Sequence, residues 1–366
     1  MRVSIFGLGY VGCTLMACLA SDGHTVIGVE SDRERAEQIR AGRLPLADHD
    51  LNTVYLRHRD RTVVVTDPIR AVIETDVTFV CVGTPQGADG FDLRQLTVAC
   101  EKIGQALALK DGPHLVAVKS TMLPGTLRTV VQPLLERRSG KRAGAEFGLC
   151  ANPEFLREGA ALSDFYRPPF TVVGMAGGDT PDNRPWIDQL KQVFEWVLPP
   201  VIVVEPETAE MLKLACNAFH ALKVCFANEI GNLCRAEGVD SRAVMDLFVR
   251  DTKLNVSSAY LRPGFAYGGS CLPKDVAALA ALADRNDLAA PLLRAIPVSN
   301  DDQIDQVVLA IQKLRRLDGP YSVGVLGLAH KPGTDDFRHS PARRLMNELR
   351  RAGFQVVGYD PHSPFD

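Results

Sequence analysis

A glycine-rich turn near the amino terminus constrains the fold more than any other feature of this sequence. Residues 2–6 (RVSIF) are an apolar run typical of a strand, and GLGYVG follows directly at 7–12. A second strand-like run, TVIGV at 25–29, is followed by Glu30. A strand, a glycine turn, a helix and a second strand ending at an acidic residue are typical of a dinucleotide-binding β-α-β unit.

The same turn predicts which dinucleotide the chain binds. The glycines let the backbone approach a pyrophosphate at the start of a helix. Glu30 would bind the ribose hydroxyls and repel a 2′-phosphate, which favours NAD over NADP. Arg33 and Arg35 lie close enough to weaken that preference. A tight turn without any ligand is the alternative that the motif alone leaves open.

Strands and helices alternate over the first part of the chain. Further strand-like runs lie at 62–66, 77–82, 115–119, 147–151 and 171–174, and most are separated by segments with helical spacing. This alternation predicts β-α-β units and a parallel sheet. We therefore expect an α/β protein whose residues 1–205 form a Rossmann-type domain.

The second part of the chain has a mainly helical pattern. Residues 208–237 contain no proline and a single glycine, which predicts one uninterrupted helix. Helical segments follow at 240–249, 274–285, 291–316 and 340–352, and strand-like runs at 321–326 and 355–359. We expect a central helical domain over 206–318 and a partial α/β domain over 319–366. Its single strand pair would leave Val357 and the neighbouring valines incompletely covered.

Composition excludes several classes of protein. The chain has 41 Lys+Arg against 44 Asp+Glu, a net charge of −3, without the basic excess of a dedicated nucleic-acid binder. No apolar run reaches the roughly 18 residues that cross a bilayer. The nine cysteines are scattered and contain no C-x-x-C pair. We expect reduced thiols in a cytoplasmic protein rather than a disulfide framework or a zinc site.

One cysteine differs from the other eight. Cys271 lies within GGSCLPKD at 268–275, where two glycines precede it and Pro273 fits the first position of a helix. The start of a helix and the nearby Lys274 both favour a thiolate. We predict a nucleophile at Cys271. The alternative is burial as a small apolar residue, which we expect for the other eight.

Polar residues on the long helix and after a strand complete the candidate site. Lys213, Asn217 and His220 stand at i, i+4 and i+7, so they share one face of an otherwise apolar segment. Such a stripe must find partners or line a site. For His220 a structural role is favoured. Glu154 and Glu158 follow a strand end, where active sites of open α/β sheets lie, and are candidate acid–base groups. Helix capping is the alternative, and it is stronger for Glu158.

A dinucleotide fold combined with an activated cysteine points to one kind of chemistry. Oxidation of an alcohol to an aldehyde needs no thiol, whereas further oxidation of the aldehyde does. The cysteine adds to the aldehyde, the thiohemiacetal is oxidised to a thioester, and water releases an acid. The sequence therefore predicts a four-electron oxidation of an alcohol to a carboxylate. A single-step hydroxyacid dehydrogenase that uses Lys213 and Asn217 alone leaves the segment around Cys271 unexplained.

Short motifs spread over nearly the whole chain match one family. They are FGLGYVG (6–12), CVGTP (81–85), KST (119–121), PGT (124–126), NPEFLREG (152–159), AEMLKLACNAF (209–219), FANEIG (226–231), GGSCLPKD (268–275) and KPGTDDFRHSP (331–341). By these motifs the chain resembles the UDP-glucose/GDP-mannose dehydrogenases, which are nucleotide-sugar 6-dehydrogenases. Residues 253–276 are most similar to the members that oxidise GDP-mannose to GDP-mannuronate. A UDP-sugar, above all UDP-glucose, is the alternative substrate.

The resemblance implies roles for individual residues and no metal. In catalysis it implies Cys271 as nucleophile, Lys213 as oxyanion donor, Asn217 as a holder of the sugar oxygen, Asp275 as an assistant to base chemistry through water, Glu154 as activator of the hydrolytic water, and Thr121 as support for that water. Contacts with NAD are implied for Gly7, Gly9, Tyr10, Val11, Gly12, Glu30, Arg33, Val82, Gly83, Thr84, Ser120, Thr121, Glu154, Lys274 and Arg338. Contacts with the nucleotide sugar are implied for Phe155, Leu156, Arg157, Glu158, Lys213, Asn217, His220, Asn255, Tyr260, Arg262, Phe265, Tyr267, Gly268 and Lys331.

The resemblance also implies partners. It implies a homodimer or larger assembly built on the long helix, with Arg262 reaching the partner's site, and a place in polysaccharide biosynthesis such as that of alginate. Three departures stand out. Relatives normally continue some tens of residues further, His330 stands where an aromatic residue is common, and His339 stands where an acidic residue is usual. A truncated, catalytically silent partner of a full-length subunit is therefore a further alternative, which the intact catalytic set disfavours.

Overall fold

The computed structural model describes residues 1–46, 48–87, 90–157, 159–197, 200–257, 264–269, 272–314, 321–329, 337 and 339–361. The chain forms two compact units, Met1–Ala218 and Phe219–Asp366, and the boundary between them falls inside one long helix. The division into three domains at 205 and 318 remains a prediction.

The first unit is built on a twisted, mainly parallel sheet with helices on both faces. Its strands are β1 (Arg2–Phe6), β2 (Thr25–Val29), β3 (Thr62–Val65), β4 (Val77–Val80), β5 (Gln86–Gly87), β6 (Gly90–Phe91), β7 (Leu115–Val118), β8 (Gly148–Ala151), β9 (Thr171–Gly174) and β10 (Val201–Val204). Eight of them form one sheet in the order β10-β9-β8-β7-β4-β1-β2-β3, and β5 and β6 form a separate short hairpin. The predicted α/β architecture is confirmed.

One edge of the sheet differs from the expected parallel arrangement. Strand β9 pairs with β8 in the antiparallel sense, through Ala151 and Gly174, and β10 is parallel to β9. Strand β10 is not among the strands predicted above, although VIVV is a β-branched run that suits a strand. An entirely parallel sheet is therefore wrong at this edge, because the chain enters β9 from the opposite end after a long loop that follows β8.

The helices of the two units connect and cover the strands. They are α1 (Tyr10–Ser21), α2 (Arg33–Arg40), α3 (His49–His58), α4 (Pro68–Ile73), α5 (Arg94–Leu109), α6 (Gln132–Ser139), α7 (Ala161–Tyr166), α8 (Arg184–Val193), α9 (Pro206–Ala236), α10 (Ser241–Phe248), α11 (Leu272–Arg285), α12 (Pro291–Lys313) and α13 (Pro341–Arg351). A short 3₁₀ turn lies at Arg59–Arg61, and a π-helical turn at Leu127–Val131 leads into α6. Helix α9 confirms the uninterrupted helix that was predicted over 208–237.

The core of the first unit lies on both faces of the sheet. Along β1, Val3 and Ile5 belong to one buried apolar cluster and Phe6 to the other. The same alternation holds along β4 and β7, because successive side chains of a strand point to opposite faces. Strands buried on both sides fit a parallel sheet covered by helices on each face. The covered sheet leaves the carboxyl ends of its strands as the open edge where a site can form.

The eight cysteines in the described part of the chain are all free thiols. Cys13, Cys18, Cys100, Cys150 and Cys234 are buried, as expected for small apolar residues. Burial raises the pKa of Cys100 to about 12, so this thiol is inert at neutral pH. The same expectation is wrong for Cys225, which is exposed, and it holds only in part for Cys81 and Cys216.

The second unit contains the rest of α9, helices α10 to α13, and strands β11 (Ser322–Leu326) and β12 (Gln355–Tyr359). The two strands pair in parallel, with Val323 opposite Val356. Val323 and Val356 pack partly against buried residues of α12 and α13, whereas Val357 is 67% exposed, as predicted. None of the helices in the described residues has the length and apolar character that crossing a membrane requires.

A buried histidine makes the stability of the first unit depend on pH. His114 is 1% exposed; its Nδ1 donates to the Thr75 carbonyl at 3.0 Å, and its Nε2 accepts from the Thr78 hydroxyl at 2.7 Å. Burial, aided by Lys110, lowers the pKa of His114 to about 3. The folded state therefore binds this proton less readily than the unfolded chain, whose histidine titrates near 6.5.

We expect the free energy of unfolding to fall as the pH drops below about 6.5, because protonation then favours the unfolded chain. The loss from this group should reach about 2 kcal/mol by pH 5, because pH 5 lies about 1.5 units below the pKa of the unfolded chain and each unit is worth about 1.4 kcal/mol. Urea unfolding of the wild type and His114→Gln at several pH values measures it. The variant should be less stable at pH 7 but show a flatter pH dependence, and equal slopes in both proteins would contradict the assignment.

Candidate functional site

The glycine turn after β1 is shaped by close backbone contacts. Gly7 has a φ of +88°, and a Cβ there would lie 2.9 Å from the Cys81 carbonyl oxygen. A Cβ on Gly12 would lie 2.0 Å from the Gly7 carbonyl oxygen, so only glycine allows α1 to start so near the turn. A Cβ on Gly9, in contrast, would meet no atom within 4 Å, and Gly9 lines a cavity. The turn thus leaves the start of α1 accessible to an anionic group.

Glu30 at the end of β2 fixes this turn. Its side chain is buried, and its Oε2 accepts the Leu8 N–H at 3.0 Å while Oε1 accepts the Asp32 N–H at 3.0 Å. Arg35 lies 3.5 Å from Oε2. Arg33 is exposed and does not line the cavity, so the arginine beside Glu30 is Arg35 rather than Arg33.

A cavity of about 1000 Å³ opens at the carboxyl ends of β1, β2, β4 and β7. The predicted NAD-binding residues that line it are Gly7, Gly9, Tyr10, Val11, Glu30, Val82, Gly83, Thr84, Ser120, Thr121 and Glu154. Gly12 packs beneath the turn instead. The volume suits a large ligand, and the glycine turn together with an inward carboxylate fits a dinucleotide. The residues present therefore fit NAD.

Two hydroxyl groups tie neighbouring strand ends together at this cavity. The Ser120 hydroxyl donates to the Val82 carbonyl at 2.7 Å, and the Thr84 hydroxyl donates to the Thr121 carbonyl at 2.8 Å. The segments after β4 and β7 are thereby held side by side. Thr121 lines the cavity next to them, where its hydroxyl can meet a ligand or a water molecule.

An ion pair links the loop after β8 to the long helix. The Lys213 Nζ donates to Glu154 Oε1 at 2.9 Å, and the side chains are only 9% and 16% exposed. Glu154 Oε2 accepts the Leu156 N–H at 2.5 Å, and the Lys213 ammonium lies 5.5 Å from the centre of the Phe155 ring. Two of the predicted catalytic groups therefore contact each other, and one of them, Glu154, lines the cavity. An ammonium and a carboxylate in contact can serve an oxyanion and a water molecule, respectively.

Lys119, which follows β7 and lines the cavity, is a cation that the sequence indicates only as part of the KST motif at 119–121. Its Nζ donates to the Asn152 carbonyl at 3.4 Å and lies 5.4 Å from the centre of the Phe194 ring. Burial lowers the pKa of Lys119, and the nearby Cys81 and Glu154 oppose this effect only in part. The sequence signal was present, because a lysine directly after a buried apolar strand must reach a polar partner.

Other predicted residues of the first unit occupy different settings. The Phe155 ring packs edge-on against the Phe170 ring, with 4.7 Å between the ring centres. Leu156 is half-buried. The Arg157 side chain pairs with Asp164, and its Nη2 lies 2.7 Å from Asp164 Oδ1. Asn217 is exposed on α9.

In the second unit, His220 is exposed as well, which contradicts the structural role favoured for it. Asn255 is exposed and donates to the Phe248 carbonyl at 3.2 Å. Phe265 is exposed, whereas Gly268 is buried and the Tyr267 N–H donates to Asn300 at 2.8 Å.

Helix α11 begins at Leu272, directly after the predicted nucleophile. Cys271, Glu158, Tyr260, Arg262, Lys331 and Arg338 lie outside the described residues. Lys274 and Asp275 lie in the first turns of α11, where the structure describes the backbone alone. Their roles remain predictions.

Three family models match the chain in succession. Residues 1–197 match the NAD binding domain of the UDP-glucose/GDP-mannose dehydrogenase family, residues 207–302 its central domain, and residues 324–365 its UDP binding domain.

Two similar proteins are dehydrogenases of nucleotide sugars. A GDP-mannose 6-dehydrogenase of Pseudomonas aeruginosa is 44% identical over 363 residues, which cover 98% of this chain and 81% of the relative. A UDP-glucose 6-dehydrogenase of Haloferax volcanii is 39% identical and covers 99% and 83%.

Solved structures of the same family match this chain with different TM-scores. The ternary complex of GDP-mannose dehydrogenase from Pseudomonas aeruginosa matches with a TM-score of 0.93 at 43% identity, covering 99% of this chain and 81% of that one. A UDP-glucose dehydrogenase from Pyrobaculum islandicum matches with a TM-score of 0.65 at 35% identity, covering 98% and 82%.

Proposed function

Since this chain belongs to the UDP-glucose/GDP-mannose dehydrogenase family, we propose that it oxidises the 6-hydroxyl of GDP-mannose to the carboxylate of GDP-mannuronate with NAD. One observation carries the choice of substrate. The GDP-mannose dehydrogenase structure matches with a TM-score of 0.93, against 0.65 for a UDP-glucose dehydrogenase. The identities, 44% against 39%, point the same way.

The cofactor site is the cavity at the strand ends. The turn at 7–12 would hold the pyrophosphate, and Glu30 would bind the ribose. NAD, when bound, supplies the acceptor for the hydride lost in each of the two oxidations. Thr121 and Glu154 line the same cavity, so groups that act on the sugar and groups that hold the cofactor share one wall.

The chemistry of the aldehyde belongs to Cys271 and Lys213. The Cys271 thiolate attacks the aldehyde carbon, a C–S bond forms, and the carbonyl electron pair moves onto oxygen. The Lys213 ammonium has three N–H groups, of which one is engaged by Glu154, so it can donate another to this oxyanion. Asn217 would hold the same oxygen, and oxidation of the adduct gives a thioester.

Glu154 acts as the general base in hydrolysis of the thioester. Its carboxylate takes a proton from water as the water oxygen attacks the acyl carbon. The C–S bond then breaks, and the electron pair returns to Cys271 as thiolate. Thr121 and Asp275 would orient the water. The contact with Lys213 holds the Glu154 carboxylate in place beside the cavity.

Binding of the sugar nucleotide rests on residues whose roles come from the resemblance. These are Phe155, Leu156, Arg157, Glu158, His220, Asn255, Tyr260, Arg262, Phe265, Tyr267, Gly268 and Lys331, with Lys274 and Arg338 on the cofactor side. The proposal includes a homodimer built on α9 to which Arg262 contributes across the interface. Phe219, Leu222 and Val224 on this helix are 39%, 45% and 60% exposed, which supports association through apolar surface.

A UDP-glucose 6-dehydrogenase is the second candidate. It is favoured by the 39% identity to the Haloferax volcanii enzyme and by the match of residues 324–365 to a UDP binding domain. The chemistry would be the same, and only the base and the sugar would differ.

The two candidates differ in a single experiment on the purified chain. We expect GDP-mannose to be consumed with two NADH per sugar and no free aldehyde, because the thiol retains the intermediate. The specificity constant for GDP-mannose should exceed that for UDP-glucose. One NADH per sugar would contradict the four-electron reaction, a reversed preference would favour the second candidate, and no NADH would favour the silent partner. Light scattering on the same sample should give a multiple of 39.9 kDa.

A further inference from the structure

Glu210 is a buried carboxylate for which the proposed reaction has no use. It lies on α9 three residues before Lys213 and is 3% exposed. Its Oε2 accepts the Gly125 N–H at 2.6 Å, and its Oε1 accepts the Leu127 N–H at 2.8 Å. Both oxygens are thus engaged by the backbone of one loop. A buried charge is retained at such a cost only where its hydrogen bonds are well made.

The loop that Glu210 holds carries Thr121. Its first end is fixed by the Ser120 hydroxyl on Val82 and by the Thr84 hydroxyl on the Thr121 carbonyl. Between the ends, Met122 is buried. Glu210 fixes the second end, and the segment 120–127 is therefore held at both ends.

The position of Glu210 suits a carboxylate. The π-helical turn at Leu127–Val131 begins at this point and leads into α6, and Thr126 before it gives no side-chain cap. A carboxylate at the start of a helix satisfies free N–H groups and interacts favourably with the helix dipole. Burial raises the pKa of Glu210, and the two N–H donors oppose that effect.

Glu210 therefore links the loop of Thr121 to the helix that carries Lys213. Residues three apart on a helix share a face, so Glu210 and Lys213 leave α9 on neighbouring sides of one turn. Lys213 contacts Glu154, and Glu210 contacts the loop of Thr121. We infer that Glu210 is a positioning residue for thioester hydrolysis, because it holds the Thr121 loop in register with the Lys213–Glu154 pair. This inference rests on the proposed function.

The test compares Glu210→Ala and Glu210→Asp with a matched control, Glu207→Gln. Glu207 lies on the same helix and pairs with Arg128 at 2.7 Å, but it is 38% exposed. We expect Glu210→Ala to lower steady-state turnover by about 100-fold, the effect of a misplaced group. The first turnover should still release two NADH per subunit, followed by a slow phase. Intact-mass measurement of rapidly quenched enzyme should show an acyl adduct that the wild type does not accumulate.

Further readouts separate positioning from structure. Affinity for NAD, measured by calorimetry, should stay within about twofold of the wild type in all variants, since the glycine turn and Glu30 are untouched. Glu210→Asp retains the charge and should recover most of the turnover, with less adduct. Glu207→Gln should stay within about twofold of the wild type, because an exposed ion pair contributes little.

Several outcomes would overturn the inference. A Glu210→Ala variant without adduct, or one that loses NAD affinity along with turnover, would show a structural role alone. Equal effects of Glu210→Ala and Glu207→Gln would do the same. Should the alanine variant not fold, the aspartate variant decides: adduct above the wild-type level supports the inference, and adduct at that level overturns it. A wild-type chain that forms no acid overturns the proposed function and the inference together.

Discussion

Cys271→Ser should reduce the formation of acid from GDP-mannose by more than about 100-fold, because a serine hydroxyl is a much weaker nucleophile than a thiolate at neutral pH. Oxidation of the alcohol needs no thiol, so slow release of free aldehyde with one NADH per sugar should become detectable. The measurements are the steady-state rate of NADH formation and trapping of the aldehyde with an amine reagent. Affinity for NAD should be unchanged.

The matched control for this variant is Cys225→Ser. Cys225 is an exposed, free thiol on α9, and the proposed chemistry gives it no role. Its replacement should leave the rate close to that of the wild type. A Cys271→Ser enzyme that keeps a near-normal rate and two NADH per sugar would refute the assignment of the nucleophile.

Lys213→Met should lower turnover by about 10²- to 10³-fold, the effect of removing one oxyanion donor. Methionine retains the apolar stem, and the Glu154 carboxylate loses its partner at 2.9 Å. Lys223→Met is the matched control. Lys223 lies on the same helix, with its ammonium 5.1 Å from the centre of the Phe219 ring, and outside the proposed reaction. Turnover numbers and affinity for NAD, measured side by side, give the comparison.

A double-mutant cycle sharpens the second prediction. Lys213 and Glu154 are in contact, so the effects of Lys213→Met and Glu154→Gln should not add. The double variant should be less impaired than the product of the two single effects, because part of each loss is the same broken contact. Strict additivity would show that the two side chains act independently and would contradict a functional role for their ion pair.

The sequence predicted the features that depend on neighbouring residues. The glycine turn and Glu30 are recognisable because a strand, a turn and a helix follow each other without interruption. The long helix α9 is recognisable because nothing within it breaks a helix. The sequence identifies Lys213 as a polar residue on an apolar face, and the structure gives it a partly buried carboxylate partner.

Features that depend on contacts between distant segments were missed. Glu210 stands three residues before Lys213, but its partners, Leu127 and Gly125, lie 83 and 85 positions earlier in the chain. The antiparallel direction of β9 depends on the path of the loop before it. Arg35 rather than Arg33 stands beside Glu30, and spacing alone does not distinguish the two because they lie on one helical turn.

The contacts of Glu30 have a consequence for redesign of cofactor preference. Replacing this carboxylate with a small or basic residue is the obvious way to admit a 2′-phosphate. The same substitution removes the acceptor of the Leu8 and Asp32 N–H groups, and an unsatisfied buried donor costs about 1–3 kcal/mol. Selectivity and folding are thus encoded in one side chain. An engineer would need to restore an acceptor for the Leu8 N–H in the same step that changes the charge.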